Sequence, residues 1–255
     1  MEPLSVEEFM FALIHEGQPA VAATVAARMR RARMTTSAML ACLRTVQHSL
    51  VARGLLDPRS DILEDELRHV VHGMAHASTS VGCRTPEAAA YFYLGPEGAF
   101  EQLVEHDVRH TLREIDGADA ALDRAVLLFD IHEADNSSPA EFHIVGSAFD
   151  AIKALKNGEV ARTLENAGVS GPVAAAFAED LAAPRFRGDV VHATHDDDGR
   201  PRVDGGLLVL GGQRRTWLVR PDDDAHTEAV TVIHSTAEVF RREAAAFLTF
   251  VTPDN

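Results

Sequence analysis

Apolar residues along this chain recur first at helical spacing and then in strict alternation, and that switch happens twice. Ser5 with Glu8 three residues on forms a capping-box start for a first helix, which Gly17 ends. Pro19 opens a second helix over 20–33, rich in alanine and closing on Arg28, Arg30, Arg31 and Arg33, a placement that suits the helix dipole. Thr35 or Thr36 caps a third helix that reaches Ala52 and stops at Gly54, and a fourth spans 62–76. The period then falls to two. Strands are predicted over 78–83, 89–94, 99–105 and 108–115, followed by a helix capped by Asp116 or Asp119.

The polar, turn-rich segment 130–139 divides the chain into an N-terminal half, 1–133, and a C-terminal half, 134–255. The second half repeats the order. Helices are predicted over 139–156 and 159–167 and from Ser170–Pro172 onward, then strands over 187–194, 207–210, 216–219 and 229–234. Ser235 with Glu238 gives a capping-box start to the last helix. The fold class is therefore α+β: a pseudo-twofold internal duplication, each half a helical bundle with an antiparallel sheet and a closing helix. With Gly95 set against Gly211, Tyr91 and Tyr93 meet Leu207 and Val209. Further on, Leu103 and Val104 meet Leu218 and Val219, and Ile115 meets Ile233. The closing helices align Leu122 with Phe240, Arg124 with Arg242 and Phe129 with Phe247.

Charge narrows the function. The chain has 255 residues and a formal net charge of −15, so a phosphate backbone or an anionic membrane repels it. Cys42 and Cys83 lack metal-ligand spacing and suggest no disulfide framework, which fits a reducing, cytoplasmic setting. Acidic residues precede the short N-terminal apolar stretch, unlike a secretory signal, and no apolar run reaches bilayer-spanning length.

Few residues suggest chemistry. His69, His72 and His76 share a helical face with Asp65, opposite Leu67, Val70, Val71 and Met74. That spacing allows a zinc site, but its ordinary reading is a solvated polar face, and no metal is assigned. His192 and His195, beside Asp196, Asp197 and Asp198, stand three apart on a strand and so point to opposite faces. Ser147 sits in VGSAF rather than GxSxG. His15-Glu16 and His132-Glu133 begin HExxH-like strings without the second histidine. Gly205-Gly206 and Gly211-Gly212 mark hairpin ends and lead into no phosphate-binding loop. Helix–helix–helix–hairpin also describes a winged helix with a basic patch at Arg28 to Arg33. Glu64, Asp65 and Glu66 in the groove-entering helix oppose that use.

Several strings together prompt a family resemblance: SLVARGLLD at 49–57, AAYFYLGPEGAFEQLVEHD with LREI, then RFRGDVVHATH, GLLVLGG, RTWLVRP and VTVIHS. In order and pattern, over most of 3–251, the chain resembles the EspG family, cytosolic chaperones associated with mycobacterial type VII (ESX) secretion. The resemblance implies a non-enzymatic adaptor without cofactor. It implies a protein of two quasi-symmetric halves joined by a central sheet, one that binds the helical tip of a PE–PPE-like heterodimer and keeps this secretion substrate soluble for export. Two departures stand out. Members open with a short strand where this chain reads as helix, and the first hairpin, 83–87, is short for a loop used in partner contact. The contact surface is expected at Arg84, Thr85 and Glu87 together with a helical stripe of Phe142, Val145, Phe149 and Ile152, although the ordinary reading of such a stripe is core. The competing functions are a winged-helix-type DNA-binding regulator and a metal-dependent enzyme using the helical histidines.

Overall fold

A computed structural model describes residues 2–17, 36–106, 108–131, 140–152, 155, 157–196, 200–222 and 229–248. The predicted helix over 20–33 and the 133/134 division lie outside them. Among the described residues the chain begins with strand β1 (Leu4–Ser5), which runs into α1 (Val6–His15). The Ser5 hydroxyl accepts from the Glu8 amide at 3.2 Å, and the Glu8 carboxylate accepts from the Ser5 amide at 2.8 Å, closing the capping box. Then follow α2 (Thr36–Ala52), β2 (Leu56–Asp57), β3 (Ile62–Leu63) and α3 (Asp65–Ala75). Strands β4 (Thr79–Arg84), β5 (Ala88–Gly95), β6 (Gly98–Glu105) and β7 (Arg109–Ile115) lead to α4 (Gly117–Leu128).

The second half runs β8 (Glu141–Val145), α5 (Gly146–Ile152), α6 (Asn157–Asn166) and α7 (Gly171–Ala182). Strands β9 (Phe186–His195), β10 (Pro201–Gly211), β11 (Thr216–Pro221) and β12 (Ala229–Ser235) then lead to α8 (Ala237–Leu248).

Ten of these strands form one antiparallel sheet in the order β1-β7-β6-β5-β4-β9-β10-β11-β12-β8. The order reads the same outward from the central β4–β9 seam, where Val81 pairs with His192 and Arg84 with Asp189. Alternation then sorts side chains to two faces. On one face α4 and α8 cover a core that includes Phe92, Phe129, Val209, Leu218, Ile233 and Phe240. Where these helices meet, Arg241 donates to Asp123 at 2.8 Å, and aligning Leu122 with Phe240 makes those two positions equivalent. On the other face two lobes sit apart. One packs α1, α2 and α3 around Leu13, Leu50, Val71 and Phe100. The other packs α5, α6 and α7 around Ile152, Leu164, Phe177 and Trp217.

Several sequence expectations are corrected. The predicted helix over 139–156 is instead strand β8 followed by the short α5. Glu141–Val145 alternates exposed and buried, and β12 offers it a free edge, with Phe142 opposite Val232. Phe142, Val145, Phe149 and Ile152 are therefore not one helical stripe. Phe142, Phe149 and Ile152 are core, while Val145 is 56% exposed. The chain does open with a short strand, because β1 adds to β7 through Leu4–His110 and Ser5–Arg109. The helix expected from 62 starts at Asp65, since Ile62–Leu63 pairs back onto Leu56–Asp57. Thr236, not Ser235, caps α8: its hydroxyl accepts from the Val239 amide at 3.2 Å. The alignment of Tyr91 and Tyr93 with Leu207 and Val209 is also out of phase. The tyrosines lie on the lobe face and the two aliphatics on the α4–α8 face. A slip of one residue turns a strand over.

Candidate protein-binding face

Among the described residues, the two lobes leave the middle of their face of the sheet uncovered. The seam strands present Ser80, Gly82 and Arg84 from β4 and Asp189, Val191 and Ala193 from β9, by alternation. Two adjoining cavities of about 680 and 550 Å³ occupy this trough and share Arg84, Val191 and Val203. The first is walled by the β4–β5 turn, with Thr85 and Glu87, and floored by Tyr91, Gln102 and His110. The second is walled by Phe149 and Asp150 of α5 and floored by Leu208, Val219 and Val230. A Cβ at Gly206 would stand 2.4 Å from the Val190 carbonyl oxygen, so only glycine lets β9 and β10 approach as they do beneath this cavity.

Arg84 and Asp189 face each other across the seam in a bidentate pair of 2.7 and 3.0 Å. The hydrogen bond to Asp189 raises the Arg84 pKa above its ordinary value, outweighing partial burial. The pair stands between the cavities, half exposed on the arginine side. Beneath the first cavity runs a polar chain. The Tyr93 hydroxyl donates to Gln102 Oε1 at 2.9 Å, and Gln102 Nε2 donates to His110 Nδ1 at 2.7 Å. Phe9 of α1 stacks on the His110 ring at 5.5 Å, tying the trough floor to the N-terminal lobe. Aliphatic surface is concentrated on β10: Val203 is 67% exposed and Leu208 46%.

Of the residues singled out in the sequence, the structure brings Arg84, Thr85 and Glu87 to the first cavity and Phe149 to the second. It does not bring Phe142 and Ile152, which are core, or Val145, which lines neither cavity. Tyr91, Gln102, Asp189, Val203 and Leu208 were missed. Their one sequence signal is parity along the strands.

The His72 and His76 rings lie together, 4.1 Å between centroids, but His69 is turned elsewhere. His69 points to Glu114 at 3.3 Å, while His76 Nδ1 is engaged by the His72 carbonyl at 2.9 Å. Among the described residues no three potential ligands gather around a metal position. Ser80 and His195 stand at 2.8 Å, a nucleophile–base distance. Ser80, however, is 6% exposed in mid-strand, and β4 is paired on both edges, so its amides are committed to the sheet rather than to an oxyanion. The winged-helix reading is not favoured either, because the would-be wing β4–β5 is bound by β9 in the middle of the sheet.

No family profile matches the sequence, and no curated protein matches it. Solved structures do match in fold. One is the Mycobacterium tuberculosis type VII secretion system chaperone EspG5, determined in complex with a PE25–PPE41 dimer. It superposes with a TM-score of 0.68 over 97% of this chain and 96% of that chain, at 10% sequence identity. The chain therefore has an EspG-like α+β fold. Among the described residues no helix is long and apolar enough to cross a membrane.

Proposed function

We propose that this protein is a non-enzymatic, cytoplasmic chaperone or adaptor of type VII secretion. In this reading it receives the helical tip of a PE–PPE-like heterodimer in the trough between its lobes and keeps that substrate soluble for export. The observation that carries the reading is the open, partly aliphatic face at the centre of an EspG-like sheet, bearing Val203 and Leu208. A helical end docks by apolar anchors within a polar rim, and the trough supplies both: aliphatics on β10, and Arg84, Glu87 and Asp150 around them. The net charge of −15 keeps the free chaperone soluble and complements a basic tip.

Co-expression with candidate PE–PPE heterodimers, followed by size-exclusion chromatography, tests this. The expected outcome is a stable complex containing all three chains. Failure with every candidate, together with salt-sensitive binding to duplex DNA, would overturn it in favour of a DNA-binding regulator.

A further inference from the structure

A separate cavity of about 370 Å³ lies at the strand ends, where β10 turns into β11, β12 runs into α8, and α4 finishes. Its lining is unusual for so acidic a chain. Arg185, Arg214 and Arg215 all border it, against the single lining carboxylate of Asp130. Arg185 neutralises that carboxylate, donating to Asp130 Oδ2 at 2.5 Å and to its carbonyl oxygen at 3.1 Å. Arg215 reaches Asp180 at 3.5 Å and Glu179 at 4.0 Å, and the same Asp180 oxygen accepts from Trp217 Nε1 at 2.9 Å. Arg214, exposed at the turn, makes no ion pair or hydrogen bond among the described residues.

Two further features point to an anion. Thr216 lines the cavity and is 5% exposed, yet its hydroxyl has no hydrogen-bond partner among the described residues. A hydroxyl on the cavity wall can donate to a ligand oxygen. The cavity also contains Thr236, the cap of the twelve-residue helix α8, whose positive dipole end faces it. The turn holding the arginines is fixed. The Gly212 amide donates to the Arg215 carbonyl at 2.7 Å, and a Cβ at Gly212 would lie 2.0 Å from Asp180 Oδ1.

We infer that this cavity is a binding site for a small phosphate-bearing anion, held by Arg214 and Arg215, the Thr216 hydroxyl and the start of α8. Guanidinium forks and a helix N-terminus match the oxygens of a phosphoryl group, and the volume leaves space for a small organic substituent. The site is independent of the trough.

Calorimetry and thermal shift with inorganic phosphate and with phenyl phosphate, at ionic strength matched by sodium chloride, test the site. Both ligands are expected to bind and to raise the melting temperature above the chloride control. Arg214→Ala, which removes an exposed side chain, is expected to weaken binding about tenfold or more, the loss of one charge-assisted contact. Thr216→Val is expected to weaken it as well. Stabilisation no greater than that of chloride or acetate, or unchanged affinity in Arg214→Ala, overturns the assignment.

Discussion

Truncating Val203 and Leu208 together to alanine separates binding from folding. Covering a whole valine or leucine side chain contributes roughly 1.5–3 kcal/mol. Leu208 still shows 46% of its surface and Val203 67%. Scaled by those fractions, burial under a partner supplies about 0.7–1.4 kcal/mol at Leu208 and about 1–2 kcal/mol at Val203. Alanine keeps the Cβ, so the double variant is expected to lose about 10- to 100-fold in affinity. The assay is biosensor binding to a PE–PPE-like heterodimer, with circular dichroism and urea unfolding alongside. Leu127→Ala is the control: Leu127 is 71% exposed but sits on α4, which covers the opposite face of the sheet. Affinity within about threefold of wild type, with the spectrum unchanged, refutes the trough as the docking face. An equal loss in Leu127→Ala refutes the assignment of sides.

Three further outcomes follow from packing and charge. Trp217→Phe removes the donor at 2.9 Å from Asp180, which is 2% exposed, and should lower unfolding free energy by about 1–3 kcal/mol; an unchanged urea midpoint denies that bond a role. Burial raises the Glu8 pKa, but hydrogen bonds from the Ser5 amide, Ser49 and Arg53 outweigh it, so the folded value lies below the ordinary 4.5. The associated stability is therefore present above the unfolded value and lost as pH falls through the folded one; Glu8→Gln should flatten the acid limb of melting temperature against pH, and an unaltered limb refutes the linkage. Gly73→Ala places a Cβ 2.1 Å from the Phe100 ring, which is fully buried between α3 and β6, and should cost about 1–3 kcal/mol by urea unfolding, whereas a neutral result means α3 can move away.

How far the sequence could be read depended on whether the deciding contact was local. The strands of both meanders were legible because alternation and turn residues lie within each segment. Strand β8 was not. Phe142, Val145, Phe149 and Ile152 also recur at helical spacing, and only the free edge of β12, eighty-odd residues on, selects the extended form. Strand β1 is two residues long and is defined by His110 and Arg109 alone. In the repeat, glycine matching gave the right strands but the wrong phase: Phe92 and Leu94, not the tyrosines, share the face of Leu207 and Val209. The site divides in the same way. Arg84, Thr85 and Glu87 were expected at a contact surface from the family resemblance, and the fold sets them on the wall of the first cavity. Leu208 was hidden in the apolar run 207–210, which reads as a strand covered on both faces. That it is half open results from two lobes that do not meet, a tertiary fact no window of sequence contains.

The arrangement of elements is the same on either side of the β4–β9 seam, but the trough across it is not. Toward β5, β6 and β7 its floor is Tyr91, Gln102 and His110, with a hydrogen-bonded chain below. Toward β10, β11 and β12 the floor is Leu208, Val219 and Val230. The Arg84–Asp189 pair marks the change between them. A symmetric floor would accept an elongated partner in two orientations of equal energy. Here, reversing the partner would set its polar groups over the aliphatics, and each polar group left unmatched there costs about 1–3 kcal/mol. Two such mismatches already favour one orientation by roughly 30-fold or more. The even succession of strands thus builds the platform, and the uneven side chains on it would set the direction of a partner docked there.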